Sequence, residues 1–220
     1  MRRAFVIVLV LTGSSAARPA LAQEVALSVF GGIGQPRSTV VLAGGRERVR
    51  GIWAGGGIEL EAGRFLMAVS GYRGELTPFE GDATFDRDAG EIGGRVGIAL
   101  FPWIGLEGGF AARAFSAASG YQRWNIPSVG AVVSGTLGHP AIRAHFRVAY
   151  LPGVSVTGLE SPDVGVAGSA GITVAPEEAR FVARLEYGLE RYDFPPGTTS
   201  RLEQFDQIRL SVGARLRVAR

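Results

Sequence analysis

Phe205-Asp206-Gln207-Ile208-Arg209-Leu210-Ser211-Val212-Gly213-Ala214-Arg215-Leu216-Arg217-Val218-Ala219 decides the fold class. From Gln207 onward, Ile208, Leu210, Val212, Ala214, Leu216 and Val218 alternate with Gln207, Arg209, Ser211, Gly213, Arg215 and Arg217. A period of two sets the aliphatics on one face of a β-strand and the arginines on the other. The run lasts about a dozen residues, beyond the usual strand of about five or six. That length suits a tilted strand crossing a bilayer.

The same pattern recurs along the chain. Strands are expected at 24–32, 49–61, 64–76, 89–101, 104–116, 123–137, 141–150, 165–175 and 180–192, with the opening stretch as the tenth. Ile52, Ala54, Ile58 and Leu60 oppose Trp53, Gly55, Gly57 and Glu59, and Ile142, Ala144, Phe146, Val148 and Tyr150 oppose Arg143, His145 and Arg147. Tight connections at Glu61-Ala62-Gly63, Phe101-Pro102-Trp103, Gly138-His139-Pro140 and Pro176-Glu177-Glu178 alternate with mostly longer ones. The longer ones are a Gly/Arg-rich stretch through Gln35-Pro36 and Gly44-Gly45, an acidic stretch at 77–88, and stretches at 152–164 and 193–203. Such asymmetry is expected of barrels with short periplasmic turns and longer outer loops. Aromatics gather at two levels: Phe65, Phe101, Trp103 and Phe181 by the tight turns, and Trp124, Tyr150, Tyr192 and Phe205 toward the long loops. Two such levels read as interfacial girdles.

The amino end has the three parts of a secretory leader: basic Met1-Arg2-Arg3, an apolar run from Ala4 to Leu11, and small residues ending Ala20-Leu21-Ala22. A cleaved signal at 1–22 and a barrel domain at 23–220 are expected. Arg2, Arg3 and Arg18 leave with the leader, and 20 basic residues then face 20 acidic ones. The high isoelectric point is therefore no argument for nucleic acid. Every basic residue other than histidine is Arg, and there is no Cys to form disulfides or hold metal. No later stretch approaches the roughly eighteen apolar residues of a membrane helix. An exported, apolar-rich chain without such a helix can still live in lipid as a closed barrel, which leaves no backbone group unpaired.

Alternation alone also suits a soluble barrel with its aliphatics inside. Three features favour the membrane version: long strands of similar length, turns of unequal length, and mid-strand charges of both signs mixed with many glycines. The fold expected is all-β, an antiparallel up-and-down transmembrane barrel of about ten strands, with eight as the alternative. Glu59, Glu91, Arg95, Glu107, Arg113, Arg143, Arg147, Arg184, Glu186, Glu190, Arg209 and Arg215 then share the lumen. Hairpin register brings Glu91 near Arg113 and Glu186 near Arg209. Unpaired buried charge is costly, so an ion-pair network filling the lumen is expected, with a narrow wet channel as the alternative.

The signal ending Ala20-Leu21-Ala22, followed by alternating strands over nearly the whole mature chain, resembles the small outer-membrane barrels of the OmpA/OmpX and opacity-protein type. The resemblance implies an outer-membrane location, lipid or lipopolysaccharide as surroundings, and assembly by the barrel-insertion machinery. It also implies roles in envelope integrity, adhesion through the loops, or minor transport. A monomer is expected, with no nucleic-acid partner. Some barrels of this class are proteases or lipid-modifying enzymes and need a positioned base. Of the two histidines, His139 lies in an expected periplasmic turn and His145 faces inward as lumen packing, so no catalytic residue is assigned. Asp82, Asp86 and Asp88 lack the glycine and terminal Glu of an EF-hand and read as a solvated acidic loop. Gly55-Gly56-Gly57 lies mid-strand with no helix after it and reads as close packing, not a phosphate cradle. No cofactor or metal is expected.

Overall fold

The computed structural model describes residues 25–81, 85–117, 120–176, 180–195 and 201–218, so the expected leader and Asp82 lie outside the described residues. The strands are β1 (Val25–Leu42), β2 (Gly45–Ala62), β3 (Phe65–Gly81), β4 (Arg87–Phe101), β5 (Ile104–Ala117), β6 (Gly120–Leu137), β7 (His139–Tyr150), the two-residue β8 (Ser155–Val156), β9 (Val164–Val174), β10 (Phe181–Asp193) and β11 (Arg201–Val218). The ten long strands pair in chain order. β1 pairs with β11 from Val25↔Val218 to Leu42↔Arg201 and closes the ring. A closed ring has no edge carrying unpaired backbone groups, which is the condition for β-structure in lipid.

Val25 and Val218, the first and last described residues, pair at one rim, called here the terminal rim; the other is the loop rim. At the terminal rim β2 and β3 are joined through Gly63-Arg64, and β6 and β7 through Gly138. Gly63 and Gly138 have φ of 58° and 66°, a region open to glycine at little cost. At the loop rim the ladder runs further than sequence patterning suggested. The Gly/Arg-rich stretch expected as a loop is strand: Arg37↔Arg50, Thr39↔Arg48 and Val41↔Arg46 face each other, with only Ala43-Gly44 between β1 and β2. The β1–β2 ladder breaks at Gln35 and Pro36, where proline has no N–H to donate. Likewise β3 continues to Gly81 and β4 starts at Arg87, taking up most of the expected acidic loop.

The aliphatic face points outward. Leu210 and Leu216 are each 49% exposed, and Val29, Ile58, Val69, Val96, Phe110, Val148, Ile172 and Leu185 are exposed with them. A continuous apolar belt of this extent is far larger than the patches soluble monomers tolerate, and it suits a lipid-facing wall. Phe65, Phe101, Trp103 and Phe181 are exposed near the terminal rim, with the Phe101 and Trp103 rings stacked at 6.1 Å.

The second aromatic level corrects the expectation of an outer girdle. Tyr150 does face outward, but Trp124, Tyr192 and Phe205 are buried inside the barrel. Trp53 joins them at 1% exposure, its β2 position opposite Gly34 of β1 and Gly74 of β3. A Cβ on Gly34 would come within 2.3 Å of the indole Nε1, so the ring occupies space that only glycine leaves.

Candidate functional site

The lumen is filled in two stages. Its loop-rim half is an apolar core of Val49, Trp53, Tyr72, Leu76, Phe115, Trp124, Ile126, Tyr192 and Phe205. Trp53 packs against Tyr72 and Phe205 with ring centroids at 5.6 Å, and Trp124 against Tyr192 at 4.9 Å. Aromatic pairs at these separations contribute beyond the area they bury. The β7–β9 connection adds to this plug. β7 stops at Tyr150, the chain turns at Gly153 with φ of 62°, and Leu151, Val154 and Val156 are buried among the rings. β8 then continues the wall by pairing Val156 with Trp124.

Below the plug stands the charged stage. Arg113 joins the two: its guanidinium lies 3.8 Å over the Phe205 ring and donates to Glu91 on one side and Glu190 on the other. Nε donates to Glu91 Oε2 at 2.8 Å, Nη1 donates to Glu190 Oε2 at 2.8 Å, and the Tyr192 hydroxyl donates to the same Glu190 oxygen at 2.6 Å. Deeper, Glu59 accepts from Arg95 at 2.8 Å and from Arg184 at 2.9 Å, while Arg147 Nε donates to Glu107 at 2.5 Å. Glu186 lies 3.8 Å from Arg209 and 3.2 Å from His145 Nε2. Two members of the expected set sit at the terminal rim. Arg215 pairs with Glu61, whereas Arg143 is exposed and reaches the Ser134 hydroxyl at 3.3 Å, outside the ion-pair network.

Only Glu91–Arg113 and Glu186–Arg209 are direct cross-strand neighbours in register. The others pass over a strand or across the lumen. Glu59 and Arg95 both register with Ala68 of the strand between them. His145 and Glu186 both register with Gly171, where a Cβ would fall 2.6 Å from the imidazole Cε1. Small residues between charged ones are the signal that sequence reasoning lacked, and they gave His145 an unforeseen carboxylate partner. His139 accepts a hydrogen bond from the Ala141 backbone N–H at 3.1 Å.

Between the ion pairs is a cavity of about 230 Å³, with Tyr72, Arg95, Gln207 and Arg209 on its wall. A second space of about 540 Å³ lies at the terminal rim, bordered by Glu61, Arg64, Arg143, His145 and Arg215. Among the described residues no three His, Asp or Glu side chains converge to hold a metal ion.

The outer-membrane protease OmpT from Escherichia coli superposes with a TM-score of 0.55 at 12% identity, covering 91% of this chain and 99% of that one. The fold is that of the small bacterial outer-membrane β-barrels. Neisserial surface protein A matches with a TM-score of 0.38 at 10% identity over 84% of this chain and 95% of that one. The attachment invasion locus protein Ail of Yersinia pestis matches with a TM-score of 0.34 at 14% identity over 89% and 100%. No family model matches the sequence, and no curated protein matches it. At such identities the likeness concerns the barrel alone, so the chemistry of the lumen has to be read from this chain's own residues.

Proposed function

We propose that this chain is a non-enzymatic outer-membrane barrel with a sealed lumen, serving envelope structure or surface interaction through its loop rim. The terminal rim then faces the periplasm and the loop rim faces outward. The observation that carries the reading is the double closure: an aromatic plug rests on Arg113 through the Phe205 ring, and ion pairs span the bore beneath it. A solute would have to displace both. A non-catalytic role is supported by the histidines. The sequence holds two, both on β7, and His145 is bound to a carboxylate while His139 caps a backbone N–H. Neither stands at the loop rim, where an external substrate would arrive.

Planar-bilayer recording tests the proposal. The purified chain inserted into a bilayer is expected to give no steady conductance; a stable open level would make it a narrow channel instead. A hydrolytic activity lost in His145→Ala would overturn the non-catalytic reading.

A further inference from the structure

Above the lipid belt the outer face of β1–β2–β3 changes character. Ile52, the most exposed aliphatic of the wall at 68%, is followed two residues earlier on the same face by Arg50, and Arg50 stands directly opposite Arg37 of β1. Like charges placed directly opposite across an antiparallel pair repel. Both guanidiniums are exposed, and among the described residues no carboxylate lies within ion-pair distance of either. Asp206, the β11 residue in register with Arg37, and Glu75, diagonal to Arg50 on β3, form no ion pair with them. The strands also hold the two cations together. The β2–β3 register slips between Arg48 and Val49, leaving Phe79 out of the ladder, and its ring lies 5.7 Å from the Arg37 guanidinium carbon and 4.8 Å from that of Arg50. A bulge of this kind re-aims a side chain, and here it sets an aromatic face against two cations at once.

Two juxtaposed guanidiniums, fixed by a shared ring and with no ion-paired carboxylate among the described residues, form a fork for an external phosphate. Their height supplies the source. On β1 and β2 they stand just above the last outward aliphatics, Ile33 and Ile52, at the height where the phosphates of a lipid headgroup lie, and β3 is already polar there, with Arg73 and Glu75 exposed. We propose that Arg37 and Arg50, with Phe79, bind the phosphate of an anionic lipid in the leaflet that surrounds the loop rim. This rests on the membrane-spanning reading of the barrel and goes beyond the sealed-lumen function.

The test uses the full chain, its Arg37→Gln/Arg50→Gln variant, and Arg64→Gln at the opposite rim as control. Each is reconstituted into phosphatidylcholine vesicles with and without lipid A, re-extracted, and examined by native mass spectrometry for retained lipid A. Native chain and control are expected to keep lipid A, and the double variant to retain about tenfold less or lower still. Equal retention by all three overturns the proposal. Loss of lipid A from the native chain in millimolar inorganic phosphate overturns the lipid as source and leaves a free-phosphate site. Identical electrophoretic migration of boiled and unboiled native chain would mean that no barrel inserted, which overturns the membrane reading and the proposal with it.

Discussion

Glu91 of β4 and Arg113 of β5 face each other in register, with Arg113 Nη2 2.5 Å from Glu91 Oε2, while the same guanidinium reaches Glu190 on β10. Arg113 is 2% exposed and touches the Phe205 ring, so it is the point where the charged and apolar halves of the lumen meet. Removing one member of a buried pair leaves the other charge without compensation, whereas removing the whole set is far less costly. Arg113→Met is expected to cost about 3 kcal/mol, since Glu91 and Glu190 stay behind as neighbouring carboxylates. Adding Glu91→Gln and Glu190→Gln should recover most of that loss. Urea unfolding in detergent micelles, followed by the electrophoretic shift of the folded band, measures both. An Arg113→Met chain as stable as the native one would show that the pair contributes nothing.

Leu210 lies in the middle of β11, in register with Ile33 on one side and Leu185 on the other, all three exposed. Arginine at such a lipid-facing level costs about 2–4 kcal/mol near the bilayer midplane and much less toward the interfaces. Leu210→Arg is expected to lower folding stability in phospholipid vesicles by that amount, and Leu216→Arg, closer to the terminal rim, by less. Urea titration of folding into vesicles reads the difference. Equal, negligible effects at both sites would place the aliphatic face somewhere other than lipid.

Gly171 illustrates a constraint that is hard to see in a sequence. It is the strand residue between His145 and Glu186, and the imidazole lies over it. Gly171→Val is expected to push the ring off its carboxylate and destabilise the barrel by about 1–3 kcal/mol, the usual cost of overpacking. Urea unfolding in detergent micelles, followed by the electrophoretic shift of the folded band, measures the loss. A Gly171→Val chain as stable as the native one would remove the spacer role.

The inward and outward faces were legible because period-two patterning needs no knowledge of partners: Arg209 and Arg215 point in and Leu210 and Leu216 point out, as the alternation requires. Hairpin register similarly sufficed for Glu91–Arg113. What escaped were contacts whose spacing is set by the curvature of the wall, such as Glu59 with Arg184 or Arg113 with Glu190. The strand ends were misjudged for a different reason. Beyond the lipid the period persists but its sign inverts. On β1, Ser38 and Val40 turn inward and are buried while Gln35 and Arg37 face out, and on β6 and β10 it is Trp124 and Tyr192 that are inside. An outer face that meets headgroups and water is polar, so loss of outward aliphatics marks the edge of the bilayer and not the end of the strand.

The two closures of the lumen act in series, and that arrangement predicts how conductance responds to mutation. Trp124→Ala with Tyr192→Ala removes two of the largest rings of the plug, at a cost of about 3–5 kcal/mol for each large aromatic by general experience with cores. Where the variant still shows the heat-dependent electrophoretic shift, the ion pairs beneath remain, and Arg147–Glu107 and the Arg95–Glu59–Arg184 cluster continue to span the bore. No steady conductance is therefore expected from the aromatic variant alone. Glu59→Ala with Glu107→Ala, which frees three arginines, should likewise leave the plug intact and the pore closed. Combining all four substitutions removes both barriers, and brief, flickering openings in planar bilayers are the expected outcome. A steady open level after the aromatic substitutions alone would mean that the charged stage is a hydrated passage, with the plug as its only gate.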